Sequence, residues 1–149
     1  MILHITKREQ WEQAKQIGIY RGDTLDTEGF IHCSTLQQLI RTANKFFHNQ
    51  QGLVLLCIEP EQVIAEIKYE AADSDLFPHI YGALNVDAVT QVLEFEPGED
   101  GKFEIPDAIA NVGWVERGWN PTDFDFNLNP RWDIAAEGLM YLKVHSNCK

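Results

Sequence analysis

Leu53-Val54-Leu55-Leu56-Cys57-Ile58 decides the fold. The apolar run has no polar interruption and is too short for an ordinary helix, which is the pattern of a strand covered on both faces. Such a strand needs a layer on each side. Upstream, Leu36, Leu39, Ile40, Ala43, Phe46 and Phe47 recur at helical spacing and give one apolar face, after a hydroxyl-led start at Ser34 or Thr35. The polar loop His48-Asn49-Gln50-Gln51-Gly52 separates that helix from the strand. Downstream, Ala65, Ile67 and Tyr69 alternate with Glu66, Lys68 and Glu70, the period of a half-exposed strand. Asn85 to Ala88 reads as a turn or short helix, and Val89 to Phe95 as a further strand. Glu96-Pro97-Gly98-Glu99-Asp100-Gly101 is a strong turn signal, after which Lys102 to Ile105 is expected to return antiparallel.

At the N-terminus, Ile2 to Ile5 reads as a first strand. Thr6-Lys7-Arg8-Glu9 has capping-box spacing, so a helix is expected from an N-cap at Thr6, burying Trp11, Ala14 and the stem of Lys15 and ending near Gly18. Ile19-Tyr20-Arg21-Gly22 continues as a short extended piece or turn, and Gly29 to Cys33 as a second short strand. Helices come early and strands late, without regular βαβ alternation. The expected class is α+β with a mixed sheet and two N-terminal helices.

From about Asp107 the character changes. Trp114, Trp119 and Trp132 fall there with Phe124 and Phe126, while asparagines and prolines break any long element. Asp133 to Val144 reads as helical. The expected organisation is one domain over 1–106 and an extension over 107–149 that packs on it as an aromatic collar. The other reading of the extension is an arm that docks a protein partner.

A chain of 149 residues fits a single core. No apolar run reaches the roughly 18 to 20 residues that span a bilayer, and Met1-Ile2-Leu3-His4-Ile5-Thr6 has no secretory pattern. A soluble cytoplasmic protein is expected. Cys33, Cys57 and Cys148 form an odd set without CxxC spacing, which argues against a disulfide framework or zinc ribbon. The net charge of −11 disfavours nucleic acid and anionic membranes as partners, and leaves small molecules or proteins.

Three polar rings stand in short strands. His4 ends the first strand, where side chains face a cleft in many α/β sites, although a lone histidine there is more often a hydrogen-bonded structural one. His32 and Phe30 share one strand face while Ile31 and Cys33 take the other, so the ring needs a partner or a ligand. His79 and Tyr81, at i and i+2, project to one side of an extended segment, with Pro78 fixing the entry and Gly82 permitting close backbone approach. A three-histidine zinc site with Cys33 nearby has no supporting spacing, and no metal is expected. A Cys33 nucleophile has no local motif, and strand parity sets it opposite His32. Walker, GxGxxG and GxSxG sequences are absent.

Several segments together resemble the bacterial family called "domain of unknown function 952". They are His4-Ile5-Thr6, Trp11, Gly18 with Tyr20, Glu28-Gly29-Phe30-Ile31-His32-Cys33-Ser34, Ala43-Asn44 with Phe46-Phe47, and Phe77-Pro78-His79-Ile80-Tyr81-Gly82. The match covers roughly residues 1 to 106. The family has been grouped with the ADP-ribosyltransferase superfamily, whose fold splits a mixed sheet around an NAD-binding cleft. That resemblance implies NAD as cofactor, His4 at the adenosine ribose, His32 stacked on nicotinamide and the Phe77 to Gly82 segment at the catalytic end. Typical transferases use a glutamate at the nicotinamide ribose; the Phe77 to Gly82 segment offers His79 and Tyr81 instead.

The leading expectation is a cleft for NAD or a nucleotide sugar, with an unusual NAD-dependent transfer or hydrolysis. His32, His79 and Tyr81 are its catalytic candidates; His4, Thr6, Tyr20, Arg21 and Ser34 are its binding candidates, Arg21 for phosphate. The alternatives are a non-catalytic ligand-binding or regulatory module, and an interaction protein that works through its tail.

Overall fold

The computed structural model describes residues 1–110, 131–134 and 140–143, and the chain divides into the units Met1–Ala110 and Asn111–Lys149. In the first unit the strands are β1 (Ile2–Lys7), β2 (Ile19–Tyr20), β3 (Ile31–His32), β4 (Leu53–Ile58), β5 (Glu66–Ala72), β6 (Asp75–Tyr81), β7 (Leu84–Asn85) and β8 (Val89–Glu94). The helices are α1 (Arg8–Ile17), α2 (Leu25–Glu28), α3 (Leu36–Phe46) and α4 (Asp107–Ala110), with 3₁₀ turns at Pro60–Gln62 and Val86–Ala88. The strands form one sheet in the order β1-β4-β8, a second in the order β3-β6-β5, and the small pair β2-β7. A bridge between Leu3 and Ser34 joins the two larger sheets.

The apolar run Leu53–Ile58 is β4, buried at every position. Its side chains alternate between two clusters. Val54, Leu56 and Ile58 join Ile2, Trp11, Tyr20, Ile31, Cys33 and Ile80, whereas Leu53, Leu55 and Cys57 join Leu3, Ile5, Leu39, Ala43, Phe95 and Ile109. A period of two thus splits the core into two layers around one sheet. Leu39 and Ala43 of α3 cover one face; α1, β3 and β6 cover the other.

Every strand pairing among the described residues is antiparallel, which corrects the expected mixed sheet. A parallel pair needs a crossover that returns the chain to the same end of the sheet, and no connection here supplies one to a neighbouring strand. The Thr6 cap is also corrected. β1 continues through Lys7, with Thr6 opposite Val54, and α1 starts without a side-chain cap. Arg8 N–H donates instead to the Gly52 carbonyl (2.9 Å). At the far end Gly18, at φ 93°, closes the helix.

Trp11 and Ala14 are buried, but Lys15 is exposed. α3 has its capping box at Thr35 and Gln38, yet Phe46 is 59% exposed although it shares the apolar spacing. Lys102 to Ile105 forms no strand. The turn before it closes as expected, and Phe103 N–H then donates to Asn44 Oδ1 (2.8 Å) while its ring stacks on Phe95. A side chain of α3 takes the amide that a ladder would have used.

In the second unit β9 (Arg131–Ile134) pairs antiparallel with β10 (Met140–Lys143), which corrects the expected helix over Asp133 to Val144. Polar and apolar residues alternate in Arg131-Trp132-Asp133-Ile134, and that period belongs to strands. The aromatic collar expected from Trp114, Trp119, Phe124, Phe126 and the Trp132 ring lies outside the described residues. No helix among the described residues is long and apolar enough to cross a membrane.

Candidate functional site

The first unit holds a cleft of about 920 Å³ lined by β1, β3, β6, α3 and the α2 loop, and His4, His32 and His79 all line it. The sequence explains the convergence. His4 has the parity of Ile2 and Thr6 on β1, opposite Leu56, so it faces the layer that holds β3 and β6. His32 and His79 are direct partners across the β3–β6 ladder, and facing residues of an antiparallel pair project to the same side. Their rings meet edge to face, with centroids 5.1 Å apart.

At one end stands a chain of close polar contacts. His4 Nδ1 lies 2.5 Å from the His32 carbonyl, and Nε2 lies 2.7 Å from the Tyr20 hydroxyl. Tyr20 is also 2.8 Å from Thr6 Oγ1, which donates to Gln10 Oε1 (2.8 Å); the Gln10 amide donates to Asp23 Oδ1 (2.5 Å). Burial is the main cause that pulls His4 down from its ordinary 6.5 to about 4, because an imidazolium there would lose its hydration. The same desolvation raises the Tyr20 hydroxyl to about 12. Both groups are therefore neutral near pH 7.

At the other end Phe30 organises the rings. It stacks on His79 at 4.2 Å and 19°, and meets His32 at 4.8 Å and Tyr81 at 5.2 Å. Two carboxylates stand behind them. His32 Nε2 donates to Glu28 (2.8 Å), and His79 Nδ1 lies 3.0 Å from Glu70 Oε1, which also accepts the Tyr81 hydroxyl. Those bonds, Tyr81 first and His79 next, hold Glu70 below the usual carboxylate range and raise the Tyr81 hydroxyl. Lys68 Nζ covers the outer face of Tyr81 at 4.7 Å.

Of the predicted residues, His4, Thr6, Tyr20, His32, Ser34 and His79 line the cleft. Tyr81 reaches it through Glu70 and Phe30. Arg21 is not among the lining residues; its guanidinium pairs with Asp26 at 2.6 Å on an exposed loop. The cations of the wall are instead Lys7, Arg41 and Lys45. Arg41 and Lys45, one turn apart on α3, also pair with Asp75 and Asp73 at the tip of the β5–β6 hairpin. Cys33 is buried, and desolvation raises its thiol far above the reactive range. Among the described residues no group of three or more histidine, cysteine, aspartate or glutamate side chains is arranged to hold a metal ion.

Sequence reading missed Glu70, Glu28, Asp23 and Gln10. A signal for Glu70 existed. Asp73 and Ser74 form a two-residue hairpin turn, both at positive φ, and counting back from it puts Glu70 opposite Phe77 and diagonal to His79. Glu28 stands four residues before His32. The meeting of Gln10 with Asp23 carries no local mark.

Residues 5–92 match the family described as Protein of unknown function (DUF952). A crystal structure of protein CC0527 from Caulobacter crescentus is similar at 37% identity and a TM-score of 0.64, over 69% of this chain and 92% of that one. Its solution NMR structure aligns with a TM-score of 0.63, over 73% and 96%. Methylthioribulose-1-phosphate dehydratase of Bacillus subtilis (strain 168) is 25% identical over 85 residues, 57% of this chain; the chain spans only 41% of that relative's length. The match over more than half of the chain places it in the family of proteins of unknown function DUF952.

Proposed function

We propose that the cleft binds a small ligand carrying ribose and phosphate, NAD or a nucleotide sugar, and transfers or hydrolyses it at the His79 end. The observation that carries this reading is the convergence of His4, His32 and His79, from three strands, on one cavity. Its volume is that of a site for a ligand of this size. Phe30 and the histidine rings offer flat faces to a heterocycle, and the hydroxyl-bearing residues Thr6, Tyr20 and Ser34 line the same cleft. Lys7, Arg41 and Lys45 are the cations of the lining, beside Asp23, Glu28, Glu70 and Asp73. The substrate in the name of the Bacillus relative is a sugar phosphate, the same chemistry. Glu70, hydrogen-bonded to His79 and Tyr81, supplies a carboxylate that the Phe77 to Gly82 segment does not contain. The ADP-ribosyltransferase resemblance of His4-Ile5-Thr6 is thereby joined by a glutamate from a neighbouring strand.

Millimolar NAD mixed with the pure protein should raise its melting temperature and release nicotinamide. Neither binding nor release would end the reading. A second reading, a ligand-binding module without turnover, is favoured by the inert Cys33 thiol; it predicts the thermal shift without product. In both, His32→Ala or His79→Ala should weaken binding about tenfold, the worth of one or two buried hydrogen bonds. Calorimetric titration measures the loss, and circular dichroism should show the fold intact.

A further inference from the structure

His79 is buried and held from three directions. Nδ1 meets Glu70 Oε1 at 3.0 Å, Phe30 stacks on the ring plane, and His32 approaches edge-on. An ionised carboxylate only accepts hydrogen bonds, so Nδ1 is the nitrogen that carries the hydrogen. The Tyr81 hydroxyl donates to the same oxygen and helps keep Glu70 ionised. With the proton of the neutral ring on Nδ1, Nε2 presents a bare lone pair. Among the described residues Nε2 meets no hydrogen-bond partner. No buried side-chain nitrogen or oxygen among them is left without one, so this nitrogen is not sealed from solvent, and His79 lines the cleft. A fixed tautomer, a fixed plane and one free nitrogen at a cavity are what a general base requires.

We propose that Glu70 is a positioning residue that fixes His79 as the Nδ1–H tautomer, and that His79 Nε2 takes the proton of an alcohol or sugar hydroxyl presented by the ligand. This rests on the reading that the cleft takes a ribose-bearing ligand. In the step the O–H bond breaks, its electron pair stays on oxygen, and an N–H bond forms at Nε2. The resulting imidazolium is balanced by the Glu70 carboxylate across Nδ1–H, a charge-assisted hydrogen bond. Tyr81 keeps its proton and donates a hydrogen bond to Glu70, so it supports the pair and does not act as a second base.

Nitrogen-15 NMR of the full chain, at alkaline pH where imidazoles are neutral, reads the tautomer without any ligand. Wild-type His79 should carry its hydrogen on Nδ1 alone. Glu70→Ala should shift it toward the Nε2–H form that free imidazole side chains prefer, Glu70→Asp should restore Nδ1–H in part, and Tyr81→Phe should retain it. A hydrogen on Nε2 in the wild type, or a tautomer unchanged in Glu70→Ala, would overturn the proposal. Diethyl pyrocarbonate gives a second measurement on the wild type, independent of whether Glu70→Ala folds. The bare Nε2 attacks the reagent's carbonyl carbon and expels ethyl carbonate, so peptide mapping should find His79 modified severalfold faster than His4, whose Nε2 faces Tyr20. An equal or slower rate would count against it. Neither measurement uses NAD, so absence of NAD binding leaves the tautomer result standing, and a wrong tautomer leaves NAD binding untouched.

Discussion

At the scale of single residues, burial sets the chemistry of His4 and Cys33 more than their neighbours in sequence do. His4 titrates at about 4 in the folded protein against an ordinary 6.5. As pH falls through 6.5 the unfolded chain takes up a proton that the native state refuses until about 4. Stability attributable to His4 is therefore whole above 6.5 and is lost across the window down to 4. Between about pH 7 and about pH 4.5, urea unfolding should show a larger loss of stability for the wild type than for His4→Gln. Cys33 and Cys57 give a second test. Desolvation raises both thiols, Cys57 to about 11, so neither should react with iodoacetamide at neutral pH until the protein is unfolded. Mass mapping of the alkylated peptides checks this. Cys57 was legible as packing from its apolar run. Cys33 was legible from strand parity, which set it against His32 and into the core.

At the scale of elements, local patterns fixed the strands while side-chain partners came from elsewhere. Phe30 and His32 share a face, as alternation required, and Ile31 turns inward. His79 and Tyr81 share Glu70, but Glu70 belongs to β5, and only the hairpin register brings it there. Gly82 ends β6 at φ 156°, and a Cβ there would meet the Ala65 Cβ at 2.9 Å. Gly82→Ala should thus cost about 1–3 kcal/mol through backbone strain and crowding, with the lost stability read by denaturant unfolding. The same shift would disturb Tyr81 next to it. The Thr6 capping box failed for an elemental reason: strand pairing with β4 outlasted the helix signal by a residue, and the hydroxyl joined the Tyr20–Gln10 chain.

At the scale of the whole molecule, α4 belongs to the first unit. The first unit runs to Ala110, and Ile109 is fully buried with Leu39, Phe95 and Phe103. A chain ended after Ala110 is expected to melt cooperatively. One ended after Pro106 loses Ile109 and should be less stable by about 2–5 kcal/mol, the range for an emptied core position. Calorimetry of the two truncations decides it; equal stability would mean that Ile109 contributes no packing. The two-layer core around β4 was legible because hydrophobic alternation reports burial on each face directly.

Neighbouring residues alone carry the buried central strand, which ring shares a face with which, and family membership. The folded chain alone reveals that every strand pairing among the described residues is antiparallel, that Arg21 is not among the residues lining the cleft, and that Asp23 and Gln10 extend the contacts of Thr6 and Tyr20. Those outcomes depend on strand register and on side chains distant in sequence, and hydrogen bonds between such groups leave no period for a one-dimensional reading to find.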